Sequence, residues 1–273
     1  MISFLFWNLN KRDLTERIVQ LANTHELDVI VLIESGVERE HLYRALNKEK
    51  AAYNLPLDLV PEDESRFIIL TRFAGEFMKP FFDLDRVTIR RLALPGIPEV
   101  LLAVMHLQSM LYSDTIHQTI ESGRYAKLIR SKEKEAGHSR TVVVGDLNMN
   151  PFDSGMAAAG AFNAVMTRQI TELGSREVQE EEYPFFYNPM WGRFGDTTRG
   201  PAGTFYYQSG KHVNYYWHIL DQVLIRPDLL PYFNHNDLDI LTDDGQNPLV
   251  ASDGRPDDKA ASNHLPLLFR LSL

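Results

Sequence analysis

The run DVIVLI at residues 28–33 constrains this chain more than any other stretch of it. A half-exposed strand alternates polar and apolar residues; this run is continuously aliphatic and β-branched after its first Asp, the pattern of a strand covered on both faces. It ends directly on Glu34, so a carboxylate stands at the mouth of a buried strand.

The same arrangement recurs along the chain. Strands are predicted at Ile2–Trp7, Arg66–Thr71, Val87–Leu94, Val100–His106, Thr141–Val144, Ile219–Ile225 and Leu267–Leu271, with Pro95-Gly96 and Pro98 marking one connection. Asp13 and Glu16 have capping-box spacing, and Leu14, Ile18 and Leu21 then line one face of a predicted helix. A longer helix is predicted from about Asp114 to Ala136, ending at Gly137. Its Lys127, Arg130, Lys132 and Lys134 read as a solvated face that complements the helix dipole. No internal repeat, low-complexity tract or linker divides residues 1–273, which are read as a single domain of the α/β (α+β) class.

Composition narrows the chemistry. With no cysteine in 273 residues, disulfides, thiolate metal sites, cysteine nucleophiles and iron–sulfur clusters are excluded, so any metal sits on oxygen or imidazole. The formal net charge of −9 counts against a protein that coats nucleic acid through loose phosphate contacts. That charge is unevenly placed: residues 1–140 hold 19 Lys/Arg against 20 Asp/Glu, and residues 141–273 hold 9 against 17. Asp237, Asp239, Asp243, Asp244, Asp253, Asp257 and Asp258 crowd one segment and read as a solvated acidic loop, a second cation site being the sharper alternative. No uncharged apolar run approaches the roughly 18 residues of a membrane span, and the charges of MISFLFWNLNKRD follow its apolar stretch. The expectation is a cytoplasmic protein without a secretion signal.

Polar and ionisable residues sit where predicted strands end: Asn8, Glu34, His106, then Asp146 and Asn148 after TVVVG, Asp221 within ILDQVLI, and Asn263-His264 before the last strand. Strand ends on one sheet edge converge, so residues far apart in sequence can share one crevice. Glu34 and Asn8 offer hard oxygen ligands of the kind Mg2+ takes beside water and phosphate oxygens. Asp146 can accept a proton from an attacking water, and Asn148 can orient that water or donate to a phosphoryl oxygen. His264 and His106 can place N–H donors where charge develops, with Asp221 fixing an imidazole tautomer. A metal, a base and cationic donors around phosphorus describe in-line phosphoester hydrolysis.

The motifs WNLN at 7–10, VLIES at 31–35, MHLQS at 105–109, GDLNMNP at 145–151, LDQVLI at 220–225 and SNHLPL at 262–267 resemble, in order, those of the metal-dependent endonuclease/exonuclease/phosphatase superfamily, which has the deoxyribonuclease-I-like fold. The resemblance implies a four-layer sandwich of two central mixed β-sheets flanked by helices. It also implies Mg2+ (or Mn2+) held by Glu34 with Asn8 and Asn263, Asp146 activating water beside Asn148, Asp221 orienting His264, and His106 facing phosphate. One departure stands out: the family usually has Asp before its last histidine, and this chain has Asn263. An amide keeps an oxygen ligand and removes a negative charge, which implies weaker metal binding or a single-metal arrangement.

Substrate is read from residues 183–217, which hold 12 of the 29 aromatics with Gly, Pro and a few cations. Arg193, Arg199, Tyr206 and Trp217 are the candidate substrate-binding residues, since ring stacking and local charge suit a nucleic-acid strand. The expectation is a nuclease cleaving DNA or RNA. The first alternative is a phosphatase or phosphodiesterase for a small phosphorylated molecule or lipid headgroup, and the second a catalytically weakened binding protein of the same fold.

Overall fold

The computed structural model describes residues 1–48, 53–61, 65–109, 114–195 and 200–273. The chain begins with β1 (Ile2–Asn8), α1 (Thr15–Thr24), β2 (Val29–Ile33), α2 (Arg39–Leu46) and β3 (Phe67–Thr71). A meander of β4 (Met78–Leu84), β5 (Val87–Leu92) and β6 (Val100–His106) leads through α3 (Thr115–Ala136) into β7 (Thr141–Asp146). Shorter pieces follow: α4 (Ser154–Ala157), β8 (Ala164–Val165), α5 (Arg168–Thr171), β9 (Ser175–Val178), β10 (Glu181–Pro184), β11 (Phe186–Tyr187), β12 (Phe205–Tyr206) and β13 (Trp217–His218). The last strands are β14 (Asp221–Ile225), β15 (Leu238–Ile240) and β16 (Leu267–Leu271).

Two mixed sheets result, a five-stranded one in the order β15-β16-β1-β2-β3 and a seven-stranded one in the order β4-β5-β6-β7-β14-β11-β8. Side-chain alternation then divides the core. Leu102 and Val104 of β6, Val142 and Val144 of β7 and Val223 of β14 pack in one cluster with Phe6 and Val31 of the first sheet. Their neighbours Leu101, Ala103, Met105 and Val143 pack instead with Tyr125, Ala126 and Ile129 of α3. Ile18 and Leu21 of α1 and Leu42 of α2 join the first cluster. The layers are therefore helix, sheet, sheet, helix, and VIVLI, the whole of β2, is buried because both of its faces are covered.

Helix α3 starts and stops where its sequence directs. Asp114 caps it by accepting from His117 N–H at 2.7 Å, and Gly137 closes it at φ 77°. Near its end, buried Glu133 accepts from Arg226 Nε at 2.8 Å and Nη2 at 3.1 Å, while the guanidinium lies 3.7 Å over the Phe186 ring. This pair fixes the helix to the seven-stranded sheet.

The expected strands are present with shifted ends: β3 begins at Phe67, β5 stops at Leu92, β7 runs on to Asp146, and β14 begins at Asp221. The capping box of Asp13 and Glu16 is not formed. Asp13 accepts instead from Thr15 N–H at 3.0 Å and Thr15 Oγ1 at 2.8 Å, because buried Leu14 takes the position before the helix. Strand β4 went unpredicted. Its Pro80 is tolerated because the strand is the sheet's edge and its register shifts between Pro80 and Phe82. Among the described residues no helix is long and apolar enough to cross a membrane.

Candidate active site

Strand register builds the floor of the site. Asp146 at the end of β7 is the pairing partner of His106 on parallel β6 and of Asp221 on antiparallel β14, so three ionisable residues stand in one row across adjacent strands. Gly145 makes this approach possible, since a Cβ there would lie 1.9 Å from the Met105 carbonyl oxygen. Asp146 and Asp221 are both buried.

The other side comes from the first sheet. Asn8 at the end of β1 donates from Nδ2 to Asp146 Oδ2 at 3.0 Å and accepts at Oδ1 from Asn10 N–H at 3.0 Å, which joins the two sheets at their rims. Glu34 follows β2 at φ 46°, a left-handed value costly for a Glu and held by Lys11 N–H donating to its carbonyl at 2.7 Å. Gly36 lets the two loops meet, since a Cβ there would lie 2.3 Å from the Lys11 carbonyl oxygen. His264 is fixed through its backbone: Trp7 Nε1 donates to its carbonyl at 2.8 Å, and its N–H donates at 3.1 Å to Ser262 Oγ, which itself donates to Asn8 O at 2.7 Å.

These residues meet side chain to side chain. His264 Nδ1 donates to Asp221 Oδ2 at 2.8 Å, and its Nε2 stands 4.0 Å from Asp146 Oδ2. Asp146 Oδ1 accepts from Asn148 N–H at 2.9 Å, and Asn148 Nδ2 donates to Leu107 O at 2.9 Å. His106 Nε2 lies 3.3 Å from Glu34 Oε1. The structure thus brings Asn8, Glu34, His106, Asp146, Asn148, Asp221 and His264 into one network.

Electrostatics divides the labour. Burial pushes the Asp146 carboxyl above the usual carboxylate range, and Asp221 adds to this against the pull of His264. Burial works against the His264 imidazolium, but Asp221, Asp146 and Glu34 outweigh it and hold its pKa at about 9. Glu34 is held below the usual range, chiefly by its bond from His106, and so is an anion at the half-exposed rim. The centre pairs a more basic buried carboxylate with an imidazole kept protonated beside it.

Asp146, Asp221 and His264 offer ligand atoms within 4.8 Å of one another, a group that could take a cation. Hard oxygens are also present on Glu34, on Asn8, whose Oδ1 keeps a second lone pair, and on Asn263, whose Oδ1 is buried without a hydrogen-bond partner. Leaving such an oxygen unpaired costs about 1–3 kcal/mol, and a cation bound there removes that cost. All-oxygen donors in small number fit Mg2+, which keeps water in much of its shell.

No protein-family model and no curated protein sequence matches the chain, whereas its structure is similar to many solved ones. The catalytic domain of human Nocturnin with bound sulfate superposes at TM-score 0.58, with 13% identity over 99% of this chain and 94% of that one. An endonuclease/exonuclease/phosphatase family protein from Leptotrichia buccalis C-1013-b gives 0.57 at 12% identity, with all of both chains covered. An AP endonuclease from Archaeoglobus fulgidus gives 0.53 at 14% identity, again over all of both chains. The chain has the deoxyribonuclease-I-like fold. Within this fold the two mixed sheets meet at Asn8 and Asp146, where the polar strand ends gather.

The substrate-binding candidates make contacts of their own. Tyr206 lies under the Arg255 guanidinium at 4.1 Å and edge-on to Trp217 at 5.4 Å, and Arg193 is engaged by Asp239 at 3.7 Å. Arg199 lies outside the described residues. The acidic segment is tied to α1 and into its own turns: Asp244 pairs with Arg17 of α1 at 2.8 Å, Asp253 with Arg255 at 3.5 Å, and Asp257 accepts from Lys259 and Ala260 N–H. Among the described residues it gathers no group of three metal-ligating side chains.

Sequence reasoning missed four supporting residues. Trp7 and Ser262 lay within quoted motifs without a role, although they hold His264. Thr204 Oγ1 accepts from the N–H groups of Leu220 and Asp221, both at 3.2 Å, and a lone Thr in an irregular stretch gives no signal of that. Phe205 lies with its ring centroid 4.7 Å from His264.

Proposed function

We propose that the chain is a divalent-metal-dependent phosphodiesterase that cleaves nucleic acid by in-line attack of water. The observation that carries this reading is His264, held through Nδ1 by Asp221 while its Nε2 stands beside Asp146. Such a trio, next to an oxygen rim, suits a phosphorus centre where a proton must leave water and negative charge must be met.

Glu34, Asn8 and Asn263 are the residues that would hold Mg2+, which when bound would supply positive charge to a phosphate oxygen. Asp146 accepts the proton of the attacking water, and its raised basicity suits that task. Asn8 and Asn148 aim its carboxylate, one on each oxygen. Asn148 Nδ2 is spent on Leu107, which leaves its carbonyl oxygen to orient the water. His264 donates from Nε2 to a phosphoryl oxygen as charge builds, with Asp221 keeping the ring charged and in place. His106 acts on Glu34, holding that carboxylate ionised and fixed. On this reading the Asp146–Asp221–His264 trio moves protons, because a proton lies between two of its three members.

The test is turnover on single- and double-stranded DNA, RNA, inositol phosphates and bis(4-nitrophenyl) phosphate, each with Mg2+ or Mn2+ and then with chelator. Metal-dependent cleavage of nucleic acid is expected. Hydrolysis of a small phosphomonoester alone would replace this reading with a phosphatase, and no turnover in either metal would remove both.

A further inference from the structure

Next to the centre, rings from separate parts of the chain form a band that extends from His264 and whose other members take no part in the proton chemistry. It begins at His264, 4.7 Å from Phe205, and continues to His218 at 6.4 Å, Tyr215 at 6.1 Å and Phe152 at 5.3 Å. Phe152 then reaches Phe194 at 5.7 Å and Trp191 at 6.3 Å. Planes along the middle of the band are steeply inclined, by 56°, 83° and 63°, so one ring does not cover the face of the next. Phe152 is 39% and Tyr215 57% exposed, large values for rings in contact with other rings.

Local structure holds the band in place. Asn150, two residues past Asn148, donates from Nδ2 to His218 Nδ1 and accepts from Ile219 N–H, both at 3.0 Å. This ties the segment leaving the catalytic floor to β13. Tyr216 adopts φ 63°, a left-handed value costly for a bulky residue, and the turn is held by Asn214 Oδ1 accepting its N–H at 3.1 Å. Its consequence is a division of rings: Tyr215 contacts Phe152 and His218, while Tyr216 contacts Tyr206. The band also contains an unpaired donor, since Trp191 Nε1 is buried without a partner.

Such a surface selects its ligand by faces more than by charge. Arg193 is paired with Asp239 and Arg255 lies over the Tyr206 ring, and the net charge of −9 disfavours binding through phosphates alone. Open ring faces beside a phosphoryl site fit nucleobases, and only an unpaired strand presents base faces outward. We infer that Phe152, Tyr215 and Trp191, continuing from Phe205 and His218, form a stacking subsite for unpaired nucleobases flanking the scissile phosphate of single-stranded nucleic acid. The inference rests on the proposed phosphodiesterase for the chemistry at phosphorus and on ring geometry for the binding.

The test is equilibrium binding of short fluorescent oligothymidylate and oligouridylate to the full chain in chelator, where no turnover intervenes. Phe152→Ala and Tyr215→Ala are each expected to raise Kd about 5- to 150-fold, the range for losing one base stack. Phe152→Trp should keep near-native affinity because it retains a ring, and a duplex should bind more weakly than a single strand. Alanine variants that match the wild type, a duplex bound as tightly as a single strand, or no binding of single strands would each overturn the inference. Hydrolysis of bis(4-nitrophenyl) phosphate, which carries no nucleobase, reads the centre separately. Turnover there with no oligonucleotide binding overturns the band alone; oligonucleotide binding weakened by the alanine variants, with no turnover on any phosphodiester, overturns the centre alone.

Discussion

Asp146 and Asp221 reach each other through strand register, whereas Phe152 and Tyr215 reach each other through turns. In the floor, a regular ladder converts sequence position into spatial position, so His106, Asp146 and Asp221 line up across three strands. In the ring band, contact depends on one left-handed tyrosine and the amides of Asn150 and Asn214. The contrast teaches that groups of the proposed reaction centre are fixed by structure that cannot slip without flipping side chains to the other face, while the ring surface inferred to select a substrate is free to differ.

The sharpest way to break the comparison is at its centre. Asp146→Asn keeps the shape and removes the base, so kcat should fall about 10²- to 10⁴-fold with the fold intact. Steady-state kinetics beside a thermal melt checks this; an unchanged kcat removes Asp146 from the role of base. Gly145→Val attacks the register instead. A side chain driven into the Met105 carbonyl, where even a Cβ would lie at 1.9 Å, should cost about 3 kcal/mol or more and lower Tm by several degrees. Calorimetry reads this effect, and a wild-type Tm would show that β6 and β7 can separate there without loss.

What was legible in the sequence follows the same division. Glu34, His106, Asp146 and Asp221 could be singled out because each ends or enters an apolar run, where a charge is easiest to read from sequence. The two-sheet layering was implied by the resemblance of the ordered motifs, whereas the apolar runs alone specify only strands covered on both faces. Strand β4 could not, because an edge strand with a proline and a mixed burial pattern carries no such signal. The capping box was misread because spacing alone does not say that Leu14 is buried. Tyr206 and Trp217 were chosen from a ring-rich stretch, but which rings join His264 depends on the turn at Tyr216 and on Phe152, far away in sequence.

Asn263→Asp sharpens the boundary between floor and rim. Its Oδ1 is buried and unpaired, and on the proposed reading a carboxylate there would add a hard anionic ligand to the metal site. The Mg2+ midpoint should fall several-fold, read by titration of tryptophan fluorescence or of activity; an unaltered midpoint removes Asn263 from the metal site. Density for Mn2+ in a soaked crystal would separate the rim from the Asp146–Asp221–His264 trio, and the rim is where it is expected.

The smallest effect belongs to the acidic segment, where turns again replace register. Burial alone would raise the Asp244 carboxyl, but Arg17 at 2.8 Å and the N–H groups of Asn247 and Gln246 outweigh it and hold the pKa below the ordinary value. A folded-state pKa below the unfolded one means the ionised Asp244 stabilises the fold at every pH above the unfolded value, and the contribution is lost as pH falls through the folded value. Asp244→Asn should therefore lower stability by about 1 kcal/mol at pH 7, and denaturation curves of variant and wild type should draw together below about pH 4. Because Arg17 sits on α1 and Asp244 in the loop after β15, a pH-independent difference would mean that packing between these two segments, not the ion pair, holds the acidic turn against the first helix.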